Sequence, residues 1–216
     1  HPEQVAGLSV EDITAEIVRD ITEGAGGSGV RAGIIGEVGL GWPHHPDEIK
    51  ALRASAVAQQ ETGAALLIHP GRNPASPLAA IAIVREARGD PGRTIMSHID
   101  RTLFTDADMR ELAETGCTLE FDLFGQESSY YAHGPIDMPN DAVRIDHLIR
   151  LIGQGFRDRL VIAQDICHKH GLKAYGGDGY SHILENVLPV MKRKGMGQDD
   201  IDAILIHNPA RILAFQ

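Results

Sequence analysis

Cysteine is scarce here: Cys117 and Cys167 are the only two among 216 residues, too few for a disulfide framework. A reducing, cytoplasmic setting is therefore expected. Long apolar runs are missing as well, none approaching the roughly 20 residues that cross a bilayer, so no membrane partner is expected. Positive charge is short. Twenty Lys and Arg face thirty Asp and Glu, a net charge of −10, and this opposes contact with nucleic acid or an anionic lipid surface. Residues 24–29 are glycine-rich, but no strand precedes them and no Gly-Lys-Ser/Thr follows, which excludes a phosphate-binding loop. No internal repeat, low-complexity tract or linker divides the chain, so one domain is expected.

What the chain does have is an ordinary globular balance of 43% hydrophobic and 23% charged residues, with enough length for one substantial core. Apolar periodicity predicts a helix over 9–23, capped by Ser9, with Val10, Ile13, Ile17, Val18 and Ile21 on one stripe. Short apolar runs predict strands over 31–38, 64–69, 94–98, 117–121 and 160–163. Helices are predicted over 47–62, 78–87, 106–115, 141–153, 182–194 and 198–206, and a turn over 207–211. Strands alternating with helices, without hairpin signals, imply a parallel sheet with right-handed crossovers. Such folds, barrel or doubly wound, place ligand sites at the C-terminal ends of the strands.

Eleven histidines are many for this length, and two of them close predicted strands. Four strands end in order at Glu37, His69, His98 and Asp165. Two imidazoles and two carboxylates at one rim are a ligand set for zinc or a similar divalent metal. Taken singly, each has a plainer role: a strand-end histidine can be a satisfied core residue, Glu37 can pair with Arg72 or Arg101, and Asp165 can cap a helix. Together they favour the metal. His44, His45, His133, His168 and His170 fall in loops, and His147, His182 and His207 read as structural. Asp122 ends the fourth predicted strand and could support a ligand. Cys167 lacks a neighbouring base in sequence and is not assigned as a nucleophile.

Several blocks resemble the phosphotriesterase-related branch of the amidohydrolase superfamily. They are Gly33-Ile34-Ile35-Gly36-Glu37-Val38-Gly39, Ile68-His69-Pro70-Gly71-Arg72, Met96-Ser97-His98-Ile99-Asp100-Arg101-Thr102, Leu119-Glu120-Phe121-Asp122-Leu123-Phe124-Gly125, Gly176-Gly177-Asp178-Gly179-Tyr180-Ser181-His182 and Asn208-Pro209-Ala210-Arg211-Ile212-Leu213. The resemblance implies an α/β fold, a (β/α)8 TIM-type barrel holding two divalent metal ions, usually zinc. On that basis Glu37 would bridge the metals at strand four, where many relatives carry a carboxylated lysine. His69 and His98, at strands five and six, would bind the more exposed metal. Asp165, at strand eight, would bind the more buried metal and act as the catalytic residue that handles the proton of the attacking hydroxide. Arg72, Arg101, Tyr130 and Tyr131 become candidates for substrate contact, through a carboxylate or sulfonate. The implied activity is hydrolysis of a small-molecule carboxylic ester, lactone or amide by a metal-bridging hydroxide, with a homodimer as the assembly to test.

One departure stands out. The family's His-x-His at the end of strand one has no counterpart; His168-Lys169-His170 follows the last strand instead. The chain, which opens on His1 rather than Met, is therefore expected to be the C-terminal part, over 1–216, of one hydrolase barrel domain lacking its first three strands. Two alternatives remain. Gly36-Glu37-Val38-Gly39-Leu40 is also similar to TatD-like metal-dependent deoxyribonucleases. In those, however, the last strand ends in Glu-Thr-Asp-x-Pro, whereas this chain has Ala163-Gln164-Asp165-Ile166-Cys167. The other alternative is a non-catalytic small-molecule-binding protein that keeps the metal pocket.

Overall fold

A computed structural model describes residues 4–128, 130, 131 and 133–215. Five strands, β1 (Ile35–Gly39), β2 (Leu66–His69), β3 (Thr94–Met96), β4 (Thr118–Phe121) and β5 (Leu160–Ile162), form one sheet in the order β1-β2-β3-β4-β5, every neighbouring pair parallel. Strand order that follows chain order without reversal is the order of an α/β barrel wall. A doubly wound sheet would reverse direction at a switch point.

The helices follow the expected alternation. A short helix α1 (Gln4–Gly7), not anticipated from sequence, precedes α2 (Val10–Arg19). Ser9 caps α2 as expected: its hydroxyl accepts from the Asp12 N–H at 3.1 Å, and the Asp12 carboxylate accepts from the Ser9 N–H at 3.0 Å. This reciprocal pair satisfies donors that a helix N-terminus otherwise leaves bare. The π-turn Asp20–Gly24 closes the stretch predicted as helix. Helix α3 (Pro46–Thr62) begins on a His45 cap with Pro46 in its first turn and stops at Gly63. Then come α4 (Ala75–Glu86), α5 (Asp106–Glu114) capped by Thr105, and α6 (Asp141–Gly153) capped by Asn140. The chain continues through α7 (Leu188–Arg193), α8 (Gln198–Asp202) and α9 (Asn208–Leu213). The stretch 207–211, read as a turn, is helical. A π-helical segment, Ala203–His207, joins α8 directly to α9, and Pro209 sits where a first helical turn tolerates proline.

Strands β2 to β5 are largely buried, as strands covered on both faces are, whereas β1 is mostly exposed beyond Ile35. Leu66, Ile68, Met96, Leu119, Phe121 and Leu160 are fully buried, packed with Leu52, Ile81 and Leu112 of the surrounding helices. Each such side chain contributes about 1.5–3 kcal/mol of transfer free energy. Among the described residues, no helix is long and apolar enough to cross a membrane. The core thus fixes the strands rigidly, and their C-terminal ends form a single rim.

Candidate metal centre

Glu37 does not end its strand, contrary to expectation; it lies inside β1, and the register explains its placement. Ile35 faces Leu66 and Val38 faces Ile68, so Gly36 and Glu37 together oppose Leu67 alone. The extra residue is a bulge, a device that re-aims a side chain. Gly36 makes it possible: its φ is +117°, and a Cβ there would collide with the Leu67 carbonyl oxygen. His69 is the last residue of β2, as predicted. His98 lies two residues beyond the end of β3, not within the strand, in a left-handed conformation (φ 54°) that opens the turn Ile99–Arg101.

The side chains of Glu37, His69 and His98 converge. The Glu37 carboxylate stands 2.9 Å from His69 Nδ1 and 3.1 Å from His98 Nε2, and these two nitrogens are 2.8 Å apart. Their donor atoms all lie within 4.8 Å of one another, the one such group of three His, Cys, Asp or Glu among the described residues. The Ser97 hydroxyl lies 3.1 Å from the carboxylate. Behind His98, the Asp122 carboxylate accepts the His98 N–H at 3.0 Å and stands 2.8 Å from Nδ1. This carboxylate fixes the ring so that Nε2 points into the cluster, as outer partners of metal-binding histidines do.

The charge balance fits a cation. Burial pushes the Glu37 carboxyl upward, but hydrogen bonds and charge from His69 and His98 outweigh it and hold the group well below the usual carboxylate range. Burial of His98 disfavours its charged form, yet hydrogen bonds to Asp122 and Glu37 prevail and raise its pKa to about 9. A pocket that retains a proton on imidazole to that pH is one with strong negative potential. Two imidazole nitrogens and a carboxylate form the His2Glu donor set of catalytic zinc sites. The residues present therefore fit one divalent cation.

Asp165 stands outside this cluster of three. It lies beyond β5 with φ 43° and is near enough to feel it. Burial raises its pKa, and the charges of His98, Asp122 and Glu37 all act on it. Besides Arg88, His98 and Asp165 are the only described non-glycine residues with positive φ, and backbone strain of this kind concentrates at functional sites. The Arg101 side chain is buried, with one guanidinium nitrogen 2.9 Å from His69 Nε2. Arg72 donates through Nε to the Tyr131 hydroxyl at 2.7 Å and lies over the same ring, 5.8 Å from its centroid. Tyr130 is 79% exposed and makes no described contact with these groups. A cavity of about 420 Å³ lies beside Asp165, lined by Phe124, Gln126, Gln164, His168 and His170 among others but by none of Glu37, His69 and His98; a separate cavity of about 610 Å³ is lined by Glu37 and His69. Of the other histidines, His44 bonds Ser76 at 2.9 Å and His182 is buried against Asp141 at 2.7 Å, whereas His207 is exposed.

A buried polar bridge supports the rim. Arg144, fully buried on α6, donates to Asp100 at 2.8 Å, to Asp141 at 2.8 Å and to the Gln126 carbonyl at 2.9 Å. Asp100 also accepts the Leu123 N–H, and the Gln126 amide donates to the Asp165 carbonyl at 3.1 Å. The segment carrying His98 and the segment carrying Asp165 are thereby tied to one arginine. Sequence reasoning passed over Arg144, although a signal existed: it shares a helical stripe with the buried Leu148 and Leu151, where a charge demands a partner.

The model of the Phosphotriesterase family matches residues 1–213. A phosphotriesterase-related protein of Nematostella vectensis is 46% identical over 216 residues, and an N-acetyltaurine hydrolase of Salmo salar is 45% identical over 217. Each alignment covers 100% of this chain and 62% of the relative, so the chain spans under two thirds of their length. Among solved structures, a resiniferatoxin-binding protein from Rhodobacter sphaeroides superposes with a TM-score of 0.94 at 32% identity, covering 99% of this chain and 59% of that one. The chain belongs to the phosphotriesterase family.

Proposed function

We infer that this chain carries the hydrolytic half of a metal-dependent barrel enzyme that cleaves the amide of a small N-acyl substrate, with β1–β5 standing as strands four to eight. The observation that carries the reading is the convergence of Glu37, His69 and His98 on one point. Glu37, His69 and His98 would hold a zinc ion; a second ion would draw on Glu37 and Asp165. Bound there, a divalent cation supplies Lewis acidity and lowers the pKa of water towards neutrality.

The chain's own residues supply the rest. Asp165, beside the cluster, takes a proton from the attacking water as the new C–O bond forms. It returns that proton to the departing nitrogen as the C–N bond breaks. Asp122 keeps the His98 ring oriented. Arg101, beside His69, and Arg72, held on Tyr131, would orient the substrate, with Tyr131 and Tyr130 as further candidates for contact. The amide is favoured over an ester or lactone because relatives at 44–45% identity are named N-acetyltaurine hydrolases. The resemblance to the resiniferatoxin-binding protein favours a second reading, ligand binding without turnover.

The deciding assay incubates the zinc-loaded protein with N-acetyltaurine, N-acetyl amino acids, a lactone and a phosphotriester. Release of acetate from the anionic N-acetyl substrates is expected. Stoichiometric zinc with no turnover of any of the four would overturn the hydrolase reading and leave the binding one. Cleavage of single-stranded DNA would point to the deoxyribonuclease alternative instead.

A further inference from the structure

Arg101 has a buried charge and no direct ion pair among the described residues. Its guanidinium reaches the Thr102 hydroxyl at 3.2 Å, His69 Nε2 at 2.9 Å and, at the long distance of 3.4 Å, the Pro70 carbonyl. It is ion-paired with no carboxylate among the described residues, although its side chain is 3% exposed. A desolvated cation without a carboxylate in direct contact is costly. Arg72, bonded to the Tyr131 hydroxyl, adds a second positive charge near enough to act on Arg101. Burial is the main cause that lowers the Arg101 pKa; Arg72 adds to it, while Tyr131 and, less strongly, the carboxylates of Asp122 and Asp100 oppose it. Two guanidiniums held together by the fold need an anion.

The chemistry of His69 sharpens this. A neutral imidazole has one N–H and one acceptor nitrogen. A cation on the Nδ1 lone pair leaves the proton on Nε2, and an N–H cannot accept from Arg101. Arg101 then loses its best acceptor at the moment the cation is in place. The group that replaces it must be an acceptor, preferably charged, and must lie beside His69.

We propose that Arg101 and Arg72 form an anion subsite, coupled to cation binding at His69, that takes the sulfonate or carboxylate on the amine half of the substrate. It rests on the hydrolase reading for the identity of the substrate, but its binding chemistry is separately measurable. The Tyr131 hydroxyl, which accepts from Arg72, keeps its own proton to donate to the anion. The subsite places the negative charge beside His69, which Arg101 touches, and so fixes which way the amide lies across the centre.

Titration calorimetry with methanesulfonate, and with uncharged dimethyl sulfone as its shape-matched control, tests this without turnover. The zinc-loaded protein should bind methanesulfonate at least about tenfold more tightly than the sulfone, and about tenfold more tightly than zinc-stripped protein does. Arg101→Met and Arg72→Gln should each weaken it by about fivefold or more while zinc content per chain stays the same. Arg72 is exposed, so Arg72→Gln carries the test if Arg101→Met does not fold. Unchanged methanesulfonate affinity in these variants, or equal affinity with and without zinc, overturns the proposal. Anion binding without hydrolysis would refute the hydrolase reading alone, and hydrolysis indifferent to Arg72 and Arg101 would refute the subsite alone.

Discussion

Replacing Arg144 by methionine should damage the protein in a pH-dependent way. Arg144 neutralises Asp100 and Asp141 in a fully buried setting, and one Asp100 oxygen, Oδ1, already has no hydrogen-bond partner. Removing one member of a buried pair typically costs about 3–5 kcal/mol, because the remaining charge stays desolvated. Burial, then the charge of Asp122, already raises the Asp100 pKa from 3.8 to about 6, with Arg144 and the Leu123 N–H working the other way. In the native state Asp100 therefore binds more protons than it does unfolded between roughly pH 4 and 6, so its contribution to stability falls as pH rises through that window. Without Arg144 the folded pKa rises further, and the window extends upward, by about 1.4 kcal/mol per unit of added shift. Urea denaturation of the wild type and of Arg144→Met should thus show a gap of a few kcal/mol at pH 8 that narrows at pH 5.5. The double variant Arg144→Met/Asp100→Asn should recover part of the loss, because the orphaned charge is gone. A loss below about 1 kcal/mol, or a gap independent of pH, would refute the claim that the bridge works by charge compensation.

Three further outcomes follow from the geometry. Glu37→Gln should lower the melting temperature of the metal-stripped protein at neutral pH, because it removes the carboxylate that pairs with His69 and His98, and should weaken zinc affinity by more than the roughly 10–100-fold typical of losing an outer partner, measured by chelator competition. Gly36→Ala should destabilise by more than about 1 kcal/mol and lower zinc affinity together, since a methyl there meets the Leu67 carbonyl and the bulge must give way; calorimetric melting and zinc titration check both. Iodoacetamide should label exposed Cys167 in the native protein and spare Cys117, whose burial pushes its thiol pKa up to about 11. Mass spectrometry after brief exposure reads this out, and labelling of Cys117 in folded protein would contradict the core packing described.

The alternation of strands and helices was legible because buried parallel strands are nearly uniform in polarity, and the polar residue that ends each one stands out. Glu37, His69, His98 and Asp165 were all singled out that way as metal ligands; the structure brings the side chains of the first three together and leaves Asp165 outside that group. The details that bring the first three together were not legible. Whether Glu37 faces the rim depends on one extra residue in the β1 register, and a bulge leaves no periodic trace in a five-residue strand. His98 depends on a left-handed backbone that its residue type does not announce. The run 207–211 misled because Asn-Pro usually signals a turn, but helix packing against β5 overrode the local preference.

The same reasoning separates what the barrel wall supplies from what local backbone adds. Parallel strands in sequential order bring their ends to a common rim at spacings of about 4.8 Å per strand, which by itself leaves Glu37 and His98 two strands apart. Three donor atoms within 4.8 Å of one another require the outer two to lean inward over β2. The bulge at Gly36 turns Glu37 towards His69 from one side, and the left-handed turn at His98, held by Asp122, brings its ring back from the other. His69 alone sits where regular strand geometry puts it. The centre is therefore regular in the middle and strained at both flanks. Its strain is sustained by buried bonds that make no contact with a cation, those from Asp122 to His98 and from Arg144 to Asp100. Substitutions at such supporting positions should loosen the centre while every ligand remains in the sequence.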